Sequence, residues 1–131
     1  MFVLDTSVVI NLLRNKDAKE TETVLNTIRD DPYFLTAFSV YELLRGAKPN
    51  EISTLRSFLD QAFLLSFDRT LAEYSAALEH SLVLSGKTFT PLDLFIAATC
   101  QFIGGTLLTL DKQFADIPGL SVKIISSKHK K

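Results

Sequence analysis

Four carboxylates stand where strand-like runs give way to helix-like runs, each among apolar neighbours. They are Asp5 in F-V-L-D-T-S, Glu42 in S-V-Y-E-L-L, Asp93 in T-P-L-D-L-F-I-A-A and Asp111 in L-L-T-L-D-K-Q-F. Successive members lie 37, 51 and 18 positions apart, so only the fold can bring them together. In an open parallel sheet such junctions gather along the edge formed by the carboxyl ends of the strands. Gathered acids repel: at ~5 Å and an effective dielectric of ~20, each pair costs on the order of 3 kcal/mol. A bound divalent cation removes that repulsion, and hard oxygen ligands favour Mg²⁺ or Mn²⁺. Such an ion makes a bound water nucleophilic at neutral pH. His80 falls in the middle of a helical run and His129 in the tail, so a carboxylate has to orient or deprotonate that water.

Each acid also has a purely structural explanation. Ser39-Val40-Tyr41-Glu42 reads as a capping box, S-x-x-E, and Thr90-Pro91-Leu92-Asp93 as its aspartate analogue with proline at the first helical position. Thr6 or Ser7 after Asp5 could cap the first helix, and Asp111 could cap a short turn through Phe114. Capping and metal binding are compatible. A carboxylate in a first helical turn is held by backbone N–H groups while its other oxygen faces outward. Capping alone does not require acids at four successive strand-to-helix transitions.

The elements that must position these acids follow from periodicity and turn residues. Strands are expected at Phe2–Leu4, Tyr33–Thr36, Phe63–Phe67, Thr106–Leu110 and Ser121–Ile125. Helices are expected from Ser7 to Arg14 with Val9, Ile10, Leu12 and Leu13 inward, then through Val24, Leu25 and Ile28. A further helix runs from Ser39 to about Gly46, and another carries Ile52, Leu55, Leu59 and Ala62 with Phe58 beside them. Asp68 caps a helix striped by Leu71, Tyr74, Leu78 and Leu82, and a nearly all-apolar helix opens at Thr90-Pro91 and ends at Gly104-Gly105. Strands alternating with single helices or helix pairs make an α/β domain with a parallel sheet of about five strands. It spans residues 1–126, with a basic, disordered tail at 127–131; a weak phosphate contact is the tail's functional alternative.

A chain of 131 residues suits one domain with a core, and a net charge of −1 gives no overall pull toward nucleic acid or membrane. If the acids share one pocket, the remaining surface is mildly basic. Arg14, Lys16, Arg45, Lys48, Lys87 and Lys112 lie close in sequence to the acids; they form either a rim for a phosphodiester or an ordinary solvated surface. Cys100 is the single cysteine, which excludes an intramolecular disulfide and fits a reducing cytoplasm. No apolar run approaches the roughly 20 residues of a membrane span, and the start lacks a signal-peptide pattern. The helix from Leu92 to Ile103 carries more apolar surface than one sheet face needs, with Phe34, Phe38 and Tyr41 near another edge. This marks either a homodimer contact or a helix fully buried in the monomer.

F-V-L-D-T-S-V-V-I-N-L-L, S-V-Y-E-L-L-R-G-A, T-P-L-D-L-F-I-A-A and L-L-T-L-D-K-Q-F with I-P-G-L, taken in order, resemble the PIN-domain nucleases, most closely the VapC-type toxins of toxin–antitoxin pairs. The resemblance covers nearly the whole chain. It implies a three-layer α/β/α sandwich that hydrolyses RNA with Mg²⁺ or Mn²⁺, a cytoplasmic homodimer, and a small antitoxin that occludes the site. Arginine presented by the antitoxin to the carboxylates would be a natural inhibitor. By position, Asp5, Glu42, Asp93 and Asp111 become the catalytic, metal-binding quartet, with Thr6 and Ser7 organising the first loop. Arg14, Arg45 and Lys112 become candidates to hold flanking phosphates. Many relatives carry a further acid or asparagine just after the fourth position; here Lys112-Gln113 stands there, so one resident metal is expected. A non-catalytic PIN-like module that binds RNA or protein is the alternative. A nucleotide-binding or aspartyl-phosphate domain is disfavoured: there is no G-x-G-x-x-G, no P-loop and no second aspartate two residues after Asp5.

Overall fold

Short apolar runs separated by amphipathic helices build one sheet between two helical layers. The computed structural model describes residues 1–14 and 18–125; Lys16 and the expected tail at 127–131 lie outside the described residues. The order is β1 (Phe2–Leu4), α1 (Thr6–Arg14), α2 (Ala18–Ile28), β2 (Tyr33–Thr36), α3 (Ala37–Gly46), a 3₁₀ turn (Pro49–Glu51) and α4 (Ile52–Gln61). Then come β3 (Phe63–Leu65), α5 (Arg69–Leu84), α6 (Pro91–Phe102), β4 (Thr106–Thr109), a 3₁₀ turn (Lys112–Asp116) and β5 (Ser121–Ile124).

The five strands lie in the order β3-β2-β1-β4-β5, and every neighbouring pair is parallel. The chain winds outward from β1 through β2 to β3, then returns to the other side for β4 and β5. The direction reverses between β1 and β4, so the crevice beyond their carboxyl ends is where such a sheet binds ligands.

Alternation along the central strands divides the core. Leu4 and Leu108 point into one cluster with Val8, Val9, Val24, Leu43 and Leu55, beneath α1 to α4. Val3 and Leu107 point into the other with Leu82, Leu94, Ile96, Ala97 and Phe114, beneath α5 and α6. All four strand residues are fully buried, which is why these strands read as unbroken apolar runs.

Several element boundaries differ from the sequence expectation. The third and fourth strands end at Leu65 and Thr109, earlier than Phe67 and Leu110. In α1 the buried positions are Val8, Val9 and Asn11, whereas Ile10, Leu12 and Leu13 are only half-buried. Asn11 is a polar core residue: its amide donates to Glu20 Oε1 at 3.1 Å and its carbonyl accepts from Thr21 Oγ1 at 3.1 Å, locking α2 onto α1. Leu25, expected inward, is 51% exposed. The helix after the second strand starts at Ala37 and not at Ser39. Thr36 is its N-cap and accepts from Ser39 N at 3.1 Å. The Ser39–Glu42 capping box therefore does not form, and Glu42 sits in the second turn.

Most of the apolar surface of α6 is absorbed within the chain, while Phe102 at its end is 48% exposed. Leu94, Ile96, Ala97, Ala98, Thr99 and Cys100 are all buried, the monomer-burial outcome of the two readings. Gly104 ends this helix in the left-handed region at φ 72°, and Gly105 N returns to Cys100 O at 3.0 Å. No described helix is long and apolar enough to cross a membrane.

Leu108→Ala should lower the unfolding free energy by about 2–5 kcal/mol, because the emptied volume lies under two helices and cannot collapse. Leu25→Ala should change it by only about 0.5 kcal/mol or less. Urea denaturation midpoints of the two variants check both; equal losses would refute the burial assignment.

Candidate metal-binding nuclease site

Asp5 directly follows the central strand and is 5% exposed. Its backbone N–H donates to Leu108 O at 2.9 Å, which continues the β1–β4 pairing past the strand end, and its own carbonyl accepts from Val8 N at 3.0 Å, opening α1. The carboxylate is held from both sides. Thr109 Oγ1 donates to Asp5 Oδ2 at 2.7 Å and Ser7 Oγ donates to the same oxygen at 2.9 Å. Oδ1 receives neither hydroxyl.

The two hydroxyls also tie Asp5 to the segment after β4. Ser7 Oγ accepts from Leu110 N at 3.2 Å, and Thr109 Oγ1 accepts from Asp111 N at 3.0 Å. Asp111 in turn caps its 3₁₀ turn, its Oδ1 accepting from Gln113 N at 2.9 Å. Asp5 and Asp111 thus flank the crevice between β1 and β4 and share Thr109 as a brace.

On the α3 side, Thr6 Oγ1 lies 2.7 Å from Glu42 Oε1 and 3.1 Å from Ser39 Oγ. A hydroxyl has one proton. Thr6 spends it on the carboxylate, and Ser39 is then the donor to Thr6. This chain, with Ser39 wholly buried, fixes Glu42 from beneath. Asp93 is in the first turn of α6, where Thr90 caps the helix by accepting from Asp93 N at 3.3 Å.

The four acids share one electrostatic field. Burial pushes the Asp93 carboxyl above its ordinary pKa, hydrogen bonding with Thr90 opposes this, and the charges of Asp111 and Glu42 add to the rise. Burial likewise raises Asp5; hydrogen bonds from Thr109, Ser7 and the Thr6 backbone oppose it, and the charge of Asp93 adds to it. Asp93 therefore feels the charges of Asp111 and Glu42 and in turn acts on Asp5. Among the described residues no group of three acids is closed up enough to hold a metal ion by itself. An all-oxygen set around an open crevice still fits Mg²⁺ or Mn²⁺, which keep several waters and bind through one or two carboxylates.

The basic candidates are differently placed. Arg14 forms a fork with Glu51, with Nε to Oε2 at 2.8 Å and Nη2 to Oε1 at 3.1 Å, and holds the Glu51 carboxyl down at about 2. Arg45 is exposed, its guanidinium 5.3 Å from the centre of the Tyr41 ring. Lys112 is exposed immediately after Asp111. Lys87 lines a separate cavity of about 130 Å³ between α5 and the start of α6.

Two supporting residues went unassigned in the sequence, Thr109 and Ser39. The threonine two places before the acid in L-L-T-L-D was a visible signal, since a hydroxyl ending a buried strand needs a partner.

The PIN domain family pattern matches residues 2–120. No curated protein matches the chain by sequence. Solved structures match over nearly the whole length. VapBC2 of Rickettsia felis bound to a promoter DNA fragment superposes with a TM-score of 0.84 at 21% identity, covering 95% of this chain and 98% of that one. FitAcB of Neisseria gonorrhoeae gives 0.78 at 26%, covering 93% and 96%. VapBC-5 of Mycobacterium tuberculosis gives 0.66 at 28%, covering 95% and 97%.

Asp93→Asn should raise the melting temperature of the metal-free protein at pH 7 and abolish the further rise produced by Mn²⁺. A carboxyl with a raised folded pKa binds protons more tightly folded than unfolded. Its stabilising effect is complete below the unfolded value, near 3.8, and is lost as pH climbs through the folded pKa. Metal-free wild type should thus lose stability across that window more steeply than Asp93→Asn, as thermal melts at stepped pH would read. Thr109→Val should weaken Mn²⁺ binding by about 10–100-fold, the usual effect of removing a support behind a metal ligand. Calorimetry showing wild-type affinity would remove Thr109 from the site.

With 119 of its residues inside the family pattern and its fold shared along nearly its full length, the chain belongs to the PIN domain family, and it is built like the chains of the VapBC toxin–antitoxin complexes.

Proposed function

We propose that the chain is a Mg²⁺- or Mn²⁺-dependent endoribonuclease and the toxin of a toxin–antitoxin pair. The observation that carries this reading is the set of hydroxyl contacts at the carboxyl edge of the sheet, where Thr109 joins the Asp5 carboxylate to the Asp111 backbone and Thr6 holds Glu42, with Asp93 feeling the charges of Glu42 and Asp111. One of the matched structures, VapC20 of M. tuberculosis, is described as a sarcin-ricin loop cleaving toxin; it superposes with a TM-score of 0.68 at 14% identity.

In this reading the ion supplies charge for the phosphoryl oxygens and a water of lowered pKa. Asp5 and Asp93 would hold it, Asp5 with the oxygen that receives neither the Thr109 nor the Ser7 hydroxyl. Glu42 has Oε1 engaged by Thr6, which leaves Oε2 to orient the attacking water or take its proton. Asp111 acts through water, its Oδ1 being engaged by Gln113 N. Arg45 and Lys112, exposed beside Glu42 and Asp111, receive the flanking phosphates.

The antitoxin needs a surface of its own. An open apolar groove of about 570 Å³ runs between α1, α2 and α4, with Leu12, Leu25, Tyr33 and Phe58 in its walls. We assign it to an amphipathic segment of a small partner protein; the matched VapBC complexes support the existence of such a partner. Homodimerisation belongs to the same reading, and Tyr41, Phe63 and Leu64, each more than half exposed, are among the apolar side chains available for it.

Purified chain with Mn²⁺ should cleave structured RNA, with loss of cleavage in EDTA and a fall of at least about a thousandfold in Asp93→Asn, since the ion's charge stabilisation is worth several kcal/mol. Cleavage that survives both controls would sink the mechanism. Absence of both cleavage and Mn²⁺ binding would leave a non-catalytic binding module.

A further inference from the structure

Next to the acids a cleft of about 300 Å³ opens between α1, the last turn of α3 and the 3₁₀ turn at Pro49–Glu51. Thr6 and Glu42 form the wall it shares with the acidic site. The rest of its lining has a different character. Ile10, Leu13, Leu43 and Ala47 give apolar surface, and the Arg14–Glu51 fork gives a polar edge.

Arg14 on that edge is not a free cation for a phosphate, and Arg45, which also lines the cleft, is the side chain left to meet the flanking phosphate. The charge of Arg14 is neutralised by Glu51 through two hydrogen bonds. The fork still has hydrogen-bonding capacity. A guanidinium has five N–H groups, of which Glu51 takes two, and among the described residues Glu51 Oε2 accepts from Arg14 alone. Glu51 is anchored a third time, Oε1 accepting from Lys48 N at 2.8 Å, so the edge is fixed before any ligand arrives. The side chains of Arg14 and Glu51 are 30% and 14% exposed, so bulk water competes weakly for their free positions. Apolar walls that end in an adjacent donor and acceptor suit a flat heterocycle with donors and acceptors along one edge. The volume falls at the low end of the roughly 300–1,000 Å³ typical of small-molecule sites.

We propose that this cleft is the subsite for an unpaired nucleobase adjoining the scissile phosphate, its ring against Ile10, Leu13 and Leu43 and its edge read by Arg14 and Glu51. The proposal rests on the ribonuclease reading above and deepens it: sequence preference comes from one splayed-out base beside Glu42, the usual route for single-stranded RNA.

Gly46 supplies the test. It lines the cleft, a Cβ built on it meets nothing within 4 Å, and its backbone is not in the left-handed region. Gly46→Leu therefore narrows the cleft without straining the fold. Amide NMR titrations of the metal-free chain with AMP, GMP, CMP and UMP should shift Leu13, Ala47 and Glu51 for at least one nucleotide. Gly46→Leu should weaken that binding by about tenfold or more, and Glu51→Gln should change which nucleotide binds best. No shift at those amides, wild-type affinity in Gly46→Leu, or an unchanged preference in Glu51→Gln would overturn the subsite. RNA cleavage by the wild type in Mn²⁺ is scored separately. Cleavage without nucleotide binding in the cleft removes the subsite and leaves the nuclease standing. Nucleotide binding without cleavage removes the nuclease reading on which the subsite depends.

Discussion

Asp5 is 5% exposed at the end of the central strand, and burial on that scale raises a carboxyl pKa unless hydrogen bonds or a cation favour the charged form. The local structure is arranged around that one group. Thr109 must end β4 in register with Asp5, which requires the β1–β4 pairing that sets Leu4 opposite Leu108. Ser7 must sit in the first turn of α1, which the Asp5 carbonyl opens by accepting from Val8 N. A one-residue slip of β1 against β4 would break both hydroxyl contacts. It would also exchange the two core clusters, because Val3 and Leu4 feed opposite faces. The same register therefore serves the core and the site.

The sequence carried the architecture because the central strands are buried on both faces and the helices repeat at their own period. Three of the four proposed acids were legible because Asp5 and Asp111 follow strands and Asp93 opens a helix, whereas Glu42 lies in the second turn of α3. The sequence misled where two local signals competed. Ser39 and Glu42 match a capping box, but Thr36 stands one turn earlier and captures Ser39 N, because the strand passes into α3 with no loop. Ser39 is then free to turn inward and join Thr6 behind Glu42. Asn11 misled for a related reason: nothing in α1 announces that a polar residue will be buried, since its partners Glu20 and Thr21 belong to the next helix. Long-range polar pairs have no periodicity to read, and the Arg14–Glu51 fork, spanning 37 positions, is of the same kind.

The relation of capping to chemistry can be weighed by magnitude. Asp5 precedes α1, Asp93 lies in the first turn of α6, and Asp111 caps a 3₁₀ turn, so three of the four acids stand at helix starts. A carboxylate at a helix N-terminus gains about 0.3–1 kcal/mol from the dipole at exposed sites. Mutual repulsion within the cluster is on the order of 3 kcal/mol per close pair. Caps and dipoles thus make each position tolerable singly and leave the group unbalanced. Glu42, in the second turn of α3, lacks even that compensation and relies on the Thr6 hydroxyl. Burial is the chief cause of the upward pKa shifts of Asp5 and Asp93, and the charges of neighbouring acids add to them. Two processes can relieve the imbalance, proton uptake or cation binding. Near neutral pH protons are scarce, so cation binding is the relief that the proposed function invokes, and under that proposal the separate structural roles of the four acids and their joint role are compatible.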